Sequence, residues 1–352
     1  MVSIPKAVAV AAGVLLASSD VFAQSSVTLY GIADTGLYYQ SQTTGSKGSA
    51  FSALDGGWYP SLFGFTGKED LGGGLHASFK LESGITTTTG ALGNSNGGLF
   101  GRNAYVELGG GFGTFRAGLQ FSPFFKTVSI DGDPRGGANN GSIFNIYVDA
   151  FGLAGLFDSN AIEYLTPTIA GFSGELEYVP GGVAGSLLYG QRISASMKYQ
   201  TGPFEANAAY YQARDTTDGA VVLRGKTIDV KYTFNSVKAT LAATNFRNTT
   251  AGPGLDVYVV DAGANWHVNP ALSLDAGVYY TFDETTKPNQ STLFAVGAEY
   301  SLSVRTTLYA QVAYVQNRGN MGTGISANSP GQIYGLPEGG TTGVNVGIRH
   351  YF

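Results

Sequence analysis

Val257-Tyr-Val-Val-Asp-Ala-Gly-Ala-Asn-Trp-His267 is followed, after Val268-Asn-Pro270, by Leu272-Ser-Leu-Asp-Ala-Gly-Val-Tyr-Tyr-Thr-Phe282. In the first stretch Tyr258, Val260, Ala262, Ala264 and Trp266 alternate with a face that carries Asp261, Asn265 and His267. In the second, Leu272, Leu274, Ala276, Val278, Tyr280 and Phe282 stand opposite Asp275. A period of two belongs to strands with two unlike faces. The same pattern runs outward in both directions. Leu75, Ala77, Phe79 and Leu81 alternate with His76, Ser78, Lys80 and Glu82, and Ile228, Val230, Tyr232 and Phe234 with Asp229 and Lys231. Helical spacing appears nowhere over a comparable length, so the fold class is all-β.

The connections choose the kind of β fold. Short turns are expected at 70–74, 109–113, 167–171, 201–203, 235–236, 268–270 and 303–304. Long connections fall between them, at 41–60, 84–101, 121–159, 180–191, 214–225, 247–256, 283–290 and 317–341. This alternation divides the chain into about 16 strands and fits a transmembrane antiparallel β-barrel, which has tight turns at one end and long loops at the other. A sheet in hydrocarbon must close on itself, because every backbone polar group has to be paired. Tyr199, Phe204, Tyr232, Phe234, Trp266, Tyr300 and Phe352 lie beside short turns on the apolar face, where an interfacial aromatic girdle belongs. A barrel of about 16 strands encloses water.

Composition agrees. The 352 residues include 52 Gly, 21 Tyr and 21 Phe, and only 13% are charged, about half the usual share for a soluble domain. With 43% hydrophobic residues, disorder is excluded. The absence of Cys rules out disulfides and thiol chemistry. A net charge of −5 argues against a nucleic-acid partner. Lys6, an apolar run from Ala7 to Ala17 and Ala23 before Gln24 read as a secretory signal peptide over 1–23. That leaves 24–352 as a single barrel domain.

Ser26-Val-Thr-Leu-Tyr-Gly-Ile-Ala-Asp34 and Gly64-Phe-Thr-Gly-Lys-Glu-Asp-Leu-Gly72 resemble the first two strands of the Gram-negative general porins of β-proteobacterial type. Asn103-Ala-Tyr-Val106, Phe112-Gly-Thr114, Tyr300-Ser-Leu-Ser303 with Arg305-Thr306, and Gly347-Ile-Arg-His-Tyr-Phe352 are similar to that family too. The resemblance implies a homotrimer in the outer membrane, among its lipid and lipopolysaccharide, with each barrel a diffusion channel for ions and small hydrophilic solutes. It further implies that the third long loop folds into the lumen and that the outer-membrane assembly machinery recognises Phe352.

The loop 121–159 is rich in Phe, which argues for packing over disorder. In the family an acidic loop faces arginines across the narrowest point. The expected constriction here takes Asp131, Asp133 and Asp149 from the loop and Arg102 and Arg116 from the wall. Leu62 and Phe157 stand where arginines are common in the family, so the basic side is depleted. Asp34, Lys80, Glu82, Lys198, Lys231, Asp261 and Arg305 are expected on the lumen wall. The strand reading gives ten acids against eight bases there, which predicts a weakly cation-preferring pore.

Other chemistry finds little support. His76, His267 and His350 all lie near short turns, without a nearby metal partner. Asp131-Gly-Asp133 echoes a calcium loop, but Ser142 stands where that loop needs a bidentate Glu. Gly109-Gly-Gly-Phe-Gly113 leads into a strand, not the helix N-terminus of a phosphate cradle. The pattern calls for no enzyme, cofactor or metal. Two alternatives remain: a channel selective for a sugar or an organic acid, and an adhesin or structural barrel.

Overall fold

A computed structural model describes residues 26–44, 48–138, 140–251, 254–326, 336 and 338–352. The expected signal segment lies outside them. The strands are β1 (Ser26–Gln40), β2 (Ala50–Asp55), β3 (Leu62–Gly72), β4 (Leu75–Gly84), β5 (Asn103–Gly110), β6 (Gly113–Gln120), β7 (Asp158–Leu165), β8 (Phe172–Val179) and β9 (Arg192–Thr201). They continue as β10 (Phe204–Arg214), β11 (Val221–Phe234), β12 (Val237–Asn248), β13 (Leu255–His267), β14 (Leu272–Asp283), β15 (Gln290–Ser301), β16 (Thr306–Arg318) and β17 (Gly339–Tyr351). From β3 onward each strand pairs antiparallel with the next, and β17 returns to β1 with Ile32 opposite Tyr351, closing the barrel.

All seven short turns fall where the sequence places them. The first long connection differs, because it contains a strand. The lower half of β1 pairs with β3, from Ser26 opposite Lys68 to Ile32 opposite Leu62. Its upper half pairs with β2, from Thr35 opposite Asp55 to Gln40 opposite Ala50. Thus β2 and β3 share one place in the wall, and the 17 strands make a barrel of 16 positions. Between the two, residues 56–61 stand opposite only Ala33 and Asp34, an extreme form of the extra residues that make a bulge. Trp58 and Ser61 are buried there. A Cβ on Gly57 would come within 2.3 Å of Asn345 Oδ1 and 2.6 Å of the Tyr309 hydroxyl, so any side chain there would displace both.

The outward face is apolar: Leu29, Val106, Ile162, Met197, Ile228, Leu241, Phe294 and Val312 are all exposed. Aromatics border it at both ends. Tyr232 and Phe234 sit 4.4 Å apart by their ring centroids near the short turns, and Tyr258 stacks on Phe282 at 5.5 Å near the long loops.

The loop after β6 folds into the barrel. Ser122 accepts a hydrogen bond from the Phe125 amide (3.1 Å) and Pro123 opens a single helical turn, α1 (Pro123–Phe125). A π-helical turn (Lys126–Asp131) follows, then α2 (Ile143–Phe151), which ends at Gly152 with φ +61°. Phe124, Ile143, Ile146, Tyr147 and Phe151 pack on Tyr211, Phe246, Val257, Val259, Tyr279, Leu293 and Val315 of the wall. The inward face of β10–β16 is therefore apolar near the long loops and polar further down. The simple polar-inside reading fails in that upper half because the loop, not water, covers it.

Candidate functional site

What the inward loop leaves open is a cleft of about 500 Å³. On one side are Phe121, Phe125, Ile130, Phe144, Val148, Leu153, Leu156 and Phe157 from the loop. On the other are the end of β2 (Ala53, Asp55), the bulge (Tyr59, Pro60, Ser61) and the second long loop (Gly84, Ile85, Thr86, Thr88, Thr89). Arg102 closes one edge. Its guanidinium lies 5.6 Å from the Phe121 ring and 5.7 Å from the Phe157 ring, distances at which a cation is drawn to an aromatic face. Its Nε donates to Glu82 Oε1 at 3.1 Å. Asp55 accepts from the amide (2.8 Å) and hydroxyl (2.6 Å) of Thr87. Among the lining residues only Asp55 and Arg102 carry a charge.

The wall from β4 to β9 is laced with ion pairs. Lys80 reaches Glu82 at 3.0 Å, and the Tyr30 hydroxyl donates to the same carboxylate at 2.8 Å. Arg116 bridges Glu107 and Glu163, each at 3.0 Å, and lies 4.3 Å from the Tyr105 ring. Lys126 of the loop meets Glu163 at 2.8 Å and also pairs with Glu175. Burial pulls the Lys126 ammonium down, but those two carboxylates outweigh it and hold the group above its ordinary value.

The loop acids divide. Asp133 is buried beneath the loop, accepting from the Tyr279 hydroxyl (2.5 Å) and the Gly137 amide (2.7 Å). Asp149 accepts from the Gly324 amide at 3.1 Å. Burial raises both carboxyls, Asp149 well above the usual range, against the opposing pull of these donors. Neither borders the cleft, which corrects the expected row of three acids there: both serve to seat the loop. Burial raises Asp131 as well, although Lys198 and Lys231 oppose it, and Asp131 lies on the β9–β11 side of the loop.

Phe157 borders the cleft; Leu62, buried opposite Ile32 and Gly84, and Arg116 do not. Asp34, Glu82, Lys231 and Asp261 are buried on the inward face, and Lys198 pairs with Glu205 at 3.3 Å. Lys231 pairs with the same Glu205 at 2.7 Å. Arg305 is a correction. It lies exposed in the β15–β16 turn, whose Ser303 hydroxyl accepts from the amides of Arg305 (3.2 Å) and Thr306 (3.1 Å), so the wall begins one residue later. Phe352 exchanges backbone hydrogen bonds with Gly31 at 3.0 and 3.1 Å.

Sequence reasoning missed the bulge and Arg135. The Asp34 carboxylate accepts from the amides of Trp58 (3.2 Å) and Tyr59 (2.9 Å) and from the Tyr309 hydroxyl (2.5 Å). Arg349, paired with Glu299 at 2.9 Å, lies 5.2 Å from the Tyr59 ring. Buried Arg135 donates to Asp275 (2.6 Å), Gln311 (3.0 Å) and the carbonyls of Asn140 and Gly141. The one usable signal was a Trp-Tyr pair between Gly56-Gly57 and Pro60, in a stretch where a solvated loop would be polar.

Comparison with known proteins places this geometry. The family model described as Gram-negative porin matches residues 7–320. The chain is 32% identical to outer membrane porin protein 32 of Delftia acidovorans, over 97% of this chain and 99% of that one. It is 26% identical to the major outer membrane protein P.IB of Neisseria gonorrhoeae, over 86% and 91%. An anion-selective porin from Comamonas acidovorans superposes with a TM-score of 0.79 at 26% identity, covering 93% of this chain and all of the other. The chain belongs to the Gram-negative porin family, as a barrel of the outer membrane.

Proposed function

We propose that the chain forms a water-filled channel for passive diffusion of ions and small hydrophilic solutes, with the cleft between the inward loop and the β2–β5 wall as its narrow part. The observation that carries this is the 16-position barrel with an unfilled cleft beside its inward loop. A barrel of that width leaves an aqueous lumen unless it is plugged. The fold and family speak for a channel and not for catalysis. Family membership supports a homotrimer set among outer-membrane lipid and lipopolysaccharide, with Phe352 as a recognition point for the assembly machinery.

The sequence-based preference for cations rested partly on loop acids, and two of the three are occupied in docking the loop. Most wall charges are paired. The Comamonas acidovorans porin that superposes on this chain is anion-selective. We therefore propose weak selectivity, set chiefly by Arg102 and Asp55. The reversal potential of the reconstituted protein under a KCl gradient tests this: steady steps with a potential near zero are expected. A strong preference of either sign would overturn the balance, and an absence of steps would overturn the channel.

A further inference from the structure

A lumen that only passes ions has no use for apolar side chains facing water, yet the cleft has a whole wall of them. Ile130 is 47% and Leu153 45% exposed, both bordering the cleft beside the half-buried Phe144. Elsewhere the loop's large apolar groups are buried against the barrel, so these are the ones that packing leaves over. The opposite wall is rich in hydroxyls, Thr86 and Thr88 among them. The volume, about 500 Å³, lies in the range of small-molecule sites, which are mostly apolar with a few placed polar groups.

From this juxtaposition we propose that the cleft is a binding site for uncharged ring compounds with one apolar and one hydroxylated face, of the aryl glycoside class. The apolar ring lies on Ile130, Phe144 and Leu153. The solute's hydroxyls meet the threonines of the opposite wall. The proposal rests on the channel reading and adds saturable recognition to it.

The test is ion current through single channels in KCl with phenyl β-glucoside added, against methyl β-glucoside, which has the same sugar and no aromatic ring. Phenyl β-glucoside is expected to reduce the current saturably at millimolar concentration, with methyl β-glucoside at least about tenfold weaker, since loss of the ring removes most of the apolar contact. The double substitution Ile130→Asn with Leu153→Asn is expected to weaken the block by phenyl β-glucoside about tenfold, each channel's block being read as a fraction of its own KCl current. Equal action of the two glucosides, or no saturable block, would overturn the proposal while the channel stands. A block unchanged in the double variant would do the same. Should that variant form no channels, the comparison of the two glucosides on the native protein decides alone. Absence of KCl steps in the native protein would instead remove the channel reading, and this proposal with it.

Discussion

The two halves of the inner wall hold the same loop by opposite means. From β10 to β16, near the long loops, Tyr211, Phe246, Val257, Tyr279 and Leu293 bury aromatic and aliphatic groups of α1 and α2. Phe124 is completely buried there, and its ring lies so close to Gly225 that a Cβ at that position would come within 2.3 Å of Cζ. From β5 to β8 the contact is a chain of alternating charges: Glu107, Arg116, Glu163, Lys126 and Glu175. Apolar burial is non-directional and sums over area. A partly buried ion chain fixes position, but it must first offset desolvation. The apolar half should therefore supply most of the holding energy and the charged half the register of the loop.

The largest effect that could break this contrast is Phe124→Ala. It opens a cavity among four other rings (Tyr147, Phe151, Tyr211 and Phe246) and is expected to cost about 3–5 kcal/mol. Thermal unfolding of the detergent-folded barrel would show it, and a native midpoint would mean that the apolar half does not seat the loop. Next, Glu163→Gln removes the carboxylate shared by Arg116 and Lys126. The expected loss is about 1.5–3 kcal/mol, with noisier open-channel current as the loop loses its register. Quiet channels in this variant would show that charge does not position the loop.

Smaller still are the cleft charges. Arg102→Gln should shift the reversal potential toward cations and Asp55→Asn toward anions. A unit charge in water is worth about 1 kcal/mol at 4 Å, so each shift should stay within about fivefold in permeability ratio. Shifts of the same sign would contradict the assignment. The smallest effect concerns Asp149. Its carboxyl is raised by burial, so the folded state favours the neutral form. That stabilisation is complete below the ordinary carboxylate value and is lost as pH rises through the raised one. Asp149→Asn, which can still accept from Gly324, should flatten this pH dependence and slightly raise stability at neutral pH. Thermal midpoints across pH check both, and an unchanged profile would place the dependence elsewhere.

The same contrast marks how far the sequence could be read. Strands such as β13 and β14 were legible because one face meets lipid and the other a polar lumen, and period two follows directly. The docking surface was written in the exceptions. At Val257 and Val259 the supposedly polar face turns apolar, and the Tyr279-Tyr280 pair puts an aromatic on both faces. Seven aromatic residues in 121–159 marked a packed loop. The loop's partners and the destinations of Asp133, Asp149 and Arg135 were not legible, because contacts between residues more than a hundred positions apart leave no local period. The split second strand hid for a different reason: β2 has six residues, too few for alternation to stand out between glycine-rich flanks.

That split leaves one rung of the wall made from a side chain. The Asp34 amide donates not to a peptide carbonyl but to Ser61 Oγ at 3.0 Å, and the same hydroxyl returns a hydrogen bond to the Asp34 carbonyl at 3.0 Å. A hydroxyl can rotate away without any strand moving, which a backbone carbonyl locked in a ladder cannot do. Deuterium from the solvent should therefore reach the Asp34 amide ahead of its neighbours along β1, through a fluctuation far cheaper than parting two strands. The barrel has at this point a clock that runs faster than the structure around it.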